Sequence, residues 1–261
     1  MIEVQQRSGL RIVLGDASML GVVSQPTAPS TTADIVTGNP AILAAIDGPM
    51  FDYAPGEPHS YSTFRKGVNK CRLWYPTRAV DVASRVPNDG IAIAVSGGRA
   101  SAEHGAGNST GADALVQLYP TLVRSRVVTA GLRGTVPTAC AGVGIAADGR
   151  IALIAASSMT LPQFAAAIGA AGFVDAGYTD GGGSTALYAD IEKDGRTEQA
   201  MNLRGRRVIS WVTLERKSPA RNVLERAKAA IGTGSDGVLG GALTVVGTLV
   251  LAGALMVSRN G

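Results

Sequence analysis

Apolar and polar positions alternate weakly over residues 1–25, which predicts short strands, the clearest at residues 10–14. Residues 25–32, rich in Pro, Ser and Thr, read as a loop. An apolar run at residues 41–46 then stops abruptly at Asp47-Gly48-Pro49. Such a junction places Asp47 at the end of a strand, although an Asp-Gly turn alone also explains it. Residues 53–76 mix Pro, Gly, Ser and aromatics with His59, Arg65 and Lys66, as a rim or a plain surface loop would. Residues 91–95 predict a compact strand leading into Ser96-Gly97-Gly98-Arg99, and residues 103–111 form a second glycine-rich loop carrying Glu103 and His104.

The second half is more regular. Residues 143–147 and 151–155 flank Asp148-Gly149-Arg150, the strongest hairpin signal in the chain. In Thr160-Leu161-Pro162-Gln163, Thr160 is placed to cap a helix and Gln163 to reach back to it, with Gly172 as the stop. Residues 174–178 approach a stretch of glycines and residues 185–189 leave it as a strand. An Asp194-Gly195 turn then leads to residues 197–203, and residues 208–214 complete the sheet. This order predicts an α+β (mixed α/β) domain of largely antiparallel sheets with flanking helices over residues 1–216.

Residues 217–236 change character. Ser218-Pro219 starts an amphipathic helix with Val223, Leu224, Ala227 and Ile231 on one face, followed by a Gly/Ser-rich break. Residues 237–257 are 21 residues without a charge, about 31 Å as a helix, which is the length of a transmembrane span. Gly240, Gly247 and Ala254 recur every seven residues there and offer a small-residue face to a neighbouring helix. A C-terminal hydrophobic helix that meets a membrane or neighbouring hydrophobic helices is therefore expected, in a homo-oligomer or a larger assembly. The N-terminus carries no secretory signal pattern.

Composition narrows the function. Of 261 residues, 46% are hydrophobic and 17% charged, which excludes wholesale disorder. The net charge of +4 is scattered and aromatic residues make up only 5%, so no nucleic-acid groove is expected. Two cysteines, Cys71 and Cys140, and two histidines lack metal-ligand spacing; no metal and no cofactor is expected.

The chemistry concentrates in Tyr178-Thr179-Asp180-Gly181-Gly182-Gly183-Ser184-Thr185. Consecutive glycines allow backbone N–H groups to converge on an anion, with an acid and hydroxyls beside them. The prediction is a small polar pocket.

From about Ala41 to Leu214 the chain resembles the phosphodiester glycosidase family. The resemblance rests on the order of three features: the Asp-Gly hairpin, the Met159-Thr160-Leu161-Pro162 helix start, and Asp180-Gly181-Gly182-Gly183-Ser184. An upstream family motif, Ala-Ile-Asn-Gly-Gly-Phe-Phe, is similar to Ala45-Ile46-Asp47-Gly48-Pro49-Met50-Phe51, with Asp47 in place of Asn and Pro49 in place of Gly. The family's Arg-Thr-Ala before the hairpin is replaced by Cys140-Ala141-Gly142, and Arg206 or Arg207 corresponds to an arginine before the last strand.

The resemblance implies a hydrolase acting on sugar 1-phosphodiesters or related cell-surface glycan bonds. Asp180 and Asp47 would be the acid/base or charge-stabilising pair, Gly181, Gly182, Gly183, Ser184 and Thr185 would bind substrate, and Arg206 would meet the phosphate. The alternative is a non-catalytic glycan-binding or structural component of a virion or membrane assembly. Basic residues cluster before the apolar segment (Arg216, Lys217, Arg221, Arg226, Lys228), with only Arg259 after it. This pattern would keep the domain cytoplasmic, whereas cell-surface glycans lie outside. A bacteriophage tail or virion location reconciles the two, a membrane-associated one being the other expectation.

Overall fold

The computed structural model describes residues 1–25, 29–48, 51–52, 68–69, 73–74, 90–104, 112–201 and 206–216. All of these belong to one compact unit, Met1–Arg216. The predicted amphipathic and hydrophobic helices of residues 217–257 lie outside the described residues, as do His59, Arg65, Lys66 and Cys71. Among the described residues no helix is long and apolar enough to cross a membrane.

Three sheets of more than two strands organise the unit, and every recorded strand pair is antiparallel. The seven-stranded sheet contains β1 (Ile2–Arg7), β2 (Leu10–Gly15), β11 (Thr121–Arg124), β12 (Val127–Val128), β13 (Thr138–Ile145), β14 (Ile151–Met159) and β15 (Asp175–Gly181). Their spatial order is β1-β2-β14-β13-β15-β11-β12. The five-stranded sheet runs β17-β16-β4-β18-β3, formed by β3 (Leu20–Ser24), β4 (Ile42–Asp47), β16 (Leu187–Ala189), β17 (Gln199–Met201) and β18 (Ser210–Glu215). A four-stranded sheet joins β7 (Leu73–Trp74), β10 (Ala114–Leu118), β8 (Ile91–Ser96) and β9 (Arg99–His104), in that order, and β5 (Phe51–Asp52) pairs with β6 (Val68–Asn69).

Burial on both faces explains why these strands read as apolar runs rather than as alternating ones. In β14, Ile151, Leu153 and Ala155 enter the central core with Val13, Ile46, Leu187, Val212 and Leu214 of the facing strands. The intervening Ala152, Ile154 and Ala156 join Leu10, Ile12, Phe164 and Ile168 on the opposite face. That second face is covered by α2 (Leu161–Ala170), while α1 (Thr32–Thr37) packs through Ile35 and Val36 against Ile42, Tyr188 and Trp211 outside the five-stranded sheet. The layers are thus helix, sheet, sheet, helix, each fully buried Ile or Leu contributing about 1.5–3 kcal/mol.

The antiparallel pairing expected from sequence is present, but the domain is richer in strand than an α+β reading implies. Among the described residues α1 and α2 are the only α-helices. Each closes an apolar face that a sheet leaves uncovered, so little further helix is needed. The capping box predicted for α2 is formed: Gln163 N donates to Thr160 Oγ1 at 3.3 Å and Thr160 N donates to Gln163 Oε1 at 2.9 Å. Gly172 lies beyond the helix at φ +85°, as a C-terminal stop requires.

Candidate active site

β4 delivers the first acid. The apolar residues Ile42 to Ile46 are buried in mid-sheet, and the strand ends on Asp47, which is only 1% exposed. Asp47 lies opposite Trp211 of β18, and the amide of the following Gly48 donates to Ser210 O at 2.8 Å. Asp47 N donates to Ala186 O at 3.3 Å, and Ala186 N donates back to Asp47 Oδ1 at 3.0 Å. The strand end is therefore fastened to the residue that leaves the glycine stretch.

β15 delivers the second acid. The glycine stretch is the corner at which the chain leaves the seven-stranded sheet and enters the five-stranded one: β15 ends at Gly181, Gly182 to Ser184 form a single 3-10 turn, and β16 pairs with β4. Gly182 takes φ +69°, where a Cβ would be strained. A Cβ on Gly181 would lie 1.9 Å from Tyr178 Oη, whereas one on Gly183 would meet nothing within 4 Å. The Gly183 side of the turn is thus open to a ligand.

The expected substrate-binding groups divide into two sets. Gly181 N donates to Asp180 Oδ1 at 2.7 Å, so its amide is already engaged. Gly182 and Gly183 open the 3-10 turn, where the first N–H groups lack acceptors within the turn itself. Ser184 and Thr185 are buried, at 6% and 0% exposure, and so help build the corner. Arg206 is brought to it by its backbone, its amide donating to Gly183 O at 2.9 Å, while the residue as a whole is exposed.

Burial and the neighbouring Asp180 charge push the Asp47 carboxyl well above the usual carboxylate range, outweighing the hydrogen bonds from Ala186 and its own amide. The Thr179 hydroxyl, fully buried, pulls weakly the other way without completing a well-formed bond, and Asp47 Oδ2 has no hydrogen-bond partner. Asp47 therefore holds its proton where an ordinary Asp would have lost it.

Tyr178 is the residue that sequence reasoning left without a role. Its hydroxyl crosses the face of Gly181, and its ring meets Phe164 edge-on, with centroids 6.4 Å apart and planes at 76°. Burial, reinforced by Cys140, Asp180 and Asp47, pushes its phenol upward, and burial pushes the Cys140 thiol to about 11. Both are neutral donors at physiological pH. A two-residue spacing from Asp180 places both on one side only in a regular strand; the register shift against β13 between Tyr178 and Gly181 breaks that alternation, so periodicity carried no signal for Tyr178. Cys140, at the position of the departed family triplet, is paired in register with Gly181.

Glu103 and His104 do not join this corner. His104 Nε2 lies 3.3 Å from Asp175 Oδ1, at the far end of β15 and roughly 16 Å along the strand from Asp180 at 3.3 Å per residue. Ser96 to Arg99 form the β8–β9 turn, with Gly97 N donating to Asp113 Oδ2 at 2.8 Å. Neither Asp47 nor Asp180 lines the surface groove around Arg7, Arg150 and Phe173 or the one around Ser30, Asp34 and Asn39.

A sequence model of the family described as phosphodiester glycosidase matches residues 41–219. The fold is similar to that of the zebrafish N-acetylglucosamine-1-phosphodiester alpha-N-acetylglucosaminidase catalytic domain, auto-inhibited by its pro-peptide. The TM-score is 0.59 at 14% identity, covering 84% of this chain and 82% of that one. A hypothetical protein from Synechocystis aligns with a TM-score of 0.44 at 11% identity, covering 81% of this chain and 61% of that one. No protein with a curated description matches.

Proposed function

Since the chain belongs to the phosphodiester glycosidase family, a family of hydrolases, we propose that it cleaves the bond between a sugar's anomeric carbon and a phosphodiester oxygen, with Asp180 as the substrate-facing carboxylate. The observation that carries this reading is the corner itself: an acid, an open glycine turn and a second, proton-holding acid, the two acids on strands of different sheets that the turn connects.

Cleavage develops positive charge at the anomeric carbon and negative charge on the departing phosphate. Asp180 stabilises the first or activates water against it. The amides of Gly182 and Gly183 and the Arg206 guanidinium receive the second. Asp47 acts from behind: by keeping its proton it withholds a second negative charge from the neighbourhood of Asp180. Water adds to the sugar, and the phosphate leaves as a monoester. The substrate class is a carbohydrate carrying a phosphodiester at its anomeric position.

The test is incubation of the full chain with a sugar 1-phosphodiester in ¹⁸O-water. The expected products are free sugar and phosphomonoester, with the label in the anomeric hydroxyl. Label in the phosphate, or no turnover, would overturn the proposal.

We further infer, from the 21 uncharged residues of 237–257, that this segment tethers the domain to a membrane or to neighbouring hydrophobic helices, as in a virion or phage-tail assembly. Truncation after residue 236 should move the protein from the detergent phase to the aqueous phase; unchanged partitioning would refute the tether.

A further inference from the structure

We propose that the loop joining β16 to β17 binds a divalent cation of the calcium class through Asp190, Asp194 and Glu198. One carboxylate oxygen from each of these residues lies within 4.8 Å of the others. Two oxygens on opposite sides of a calcium ion, each about 2.4 Å from it, are separated by about 4.8 Å, so the three fit one coordination sphere.

Proximity of acids alone would say little. The second observation is Asp190 itself, only 3% exposed, whose Oδ1 is buried with no hydrogen-bond partner. Its backbone is fixed, since Asp190 N donates to Leu43 O at 2.9 Å. A buried carboxylate oxygen left unpaired is costly, and a cation held jointly with Asp194 and Glu198 removes that cost.

Of the cations nearby, Arg196 Nε lies 3.8 Å from Asp194 Oδ2 in an exposed pair, and the other two are engaged by backbone carbonyls. Lys193 Nζ donates to Val36 O at 2.6 Å, and an Arg216 Nη2 donates to Ile191 O at 3.3 Å. The field of Lys193 offsets part of the negative charge around Asp190 and Glu198.

The remaining hydrogen bonds hold the acids in place without exhausting them. Ile191 N donates to Glu198 Oε2 at 2.8 Å, and Arg196 N to Asp194 Oδ1 at 2.8 Å. Each carboxylate oxygen keeps a further lone pair for a metal. All the ligands are hard oxygens, which selects calcium over zinc or copper. Asp190 follows the end of β16 that pairs with Ala44 of β4, whereas the glycine corner enters the other end of β16, and occupancy of the site does not depend on which bond the corner cleaves.

A spectroscopic probe is built in. Tyr188 lies two residues before Asp190, and Thr197 Oγ1 donates to its hydroxyl at 3.0 Å, so terbium bound beside Glu198 should be sensitised by this ring. The experiment uses the full chain in mild detergent, stripped with chelator. Terbium luminescence should rise saturably and be displaced by calcium. Calcium at a hundred times its Kd should raise the unfolding midpoint by roughly 5 °C or more.

Asp194→Asn with Glu198→Gln, both at exposed positions, should abolish both signals. Asp194→Asn alone, which leaves the Glu198 hydrogen bonds intact, should weaken terbium binding by about tenfold or more. Absence of saturable luminescence at millimolar terbium, or signals unchanged in either variant, would overturn the proposal.

Discussion

Replacing Asp180 with alanine should lower kcat for a sugar 1-phosphodiester by about 10²- to 10⁴-fold, the range carried by a positioned acid/base group, while the domain remains folded. Asp180 is partly exposed at the end of β15 and accepts a hydrogen bond from the adjacent Gly181 amide, 2.7 Å away. Loss of that hydrogen bond costs about 1 kcal/mol, only a few degrees in the midpoint of a domain of this size. Asp180→Asn separates charge from shape: the amide oxygen can still accept from Gly181, yet the negative charge opposite the developing cation is gone, so activity should fall comparably. Initial rates and melting curves for both variants decide the matter. Wild-type turnover in either would remove Asp180 from the reaction.

Asp47→Asn should stabilise the protein, and the gain should depend on pH. Asp47 has its pKa raised in the folded state by burial and by Asp180, whereas in the unfolded chain it ionises near pH 4. Between those two values the native state binds more protons than the unfolded state, so stability falls as pH rises. The contribution is fully present below the unfolded pKa and is lost as pH climbs through the folded one. Asparagine carries no such term. The variant and wild type should melt alike near pH 4, then diverge in favour of the variant by about 1.4 kcal/mol per pH unit across the window. Parallel melting curves from pH 4 to 8 for the two proteins would contradict this account.

The same substitution bears on catalysis. A protonated carboxyl presents one acceptor and one donor, as an amide does, so Asp47 in its neutral form reproduces the Asn of the family motif. Ionisation of Asp47 at high pH would bring a second negative charge up to Asp180, producing an alkaline limb in the activity profile that Asp47→Asn should abolish.

Local signals were the legible ones. The hairpin around Asp148-Gly149, the Thr160/Gln163 capping box and the Gly172 stop each depend on residues a few positions apart, and each is present. So is the strand ending on Asp47. The six-residue helix α1 was hidden inside a Ser/Thr/Pro-rich stretch, where only Thr31 and Asp34, which form its capping box, signalled it. Asp194-Gly195 suggested a tight hairpin turn. The strands it joins end at Ala189 and begin at Gln199, so that dipeptide is one bend in a longer loop. The burial of Ser184 and Thr185 and the placement of Tyr178 Oη arise from contacts between strands distant in sequence, which periodicity along one segment does not encode.

The glycine corner has a consequence for how such a site can drift. Its two acids belong to strands of different sheets, with Asp180 on the sheet of β13 and β14 and Asp47 on that of β16 and β18. Their separation is therefore set by how the two sheets lie across the apolar layer that includes Val143, Leu153, Ile46 and Val212. Exchanging one aliphatic side chain in that layer for a bulkier or slimmer one would move the acids relative to each other without touching either. Substrate preference in this protein could thus be retuned by residues that no substrate ever meets.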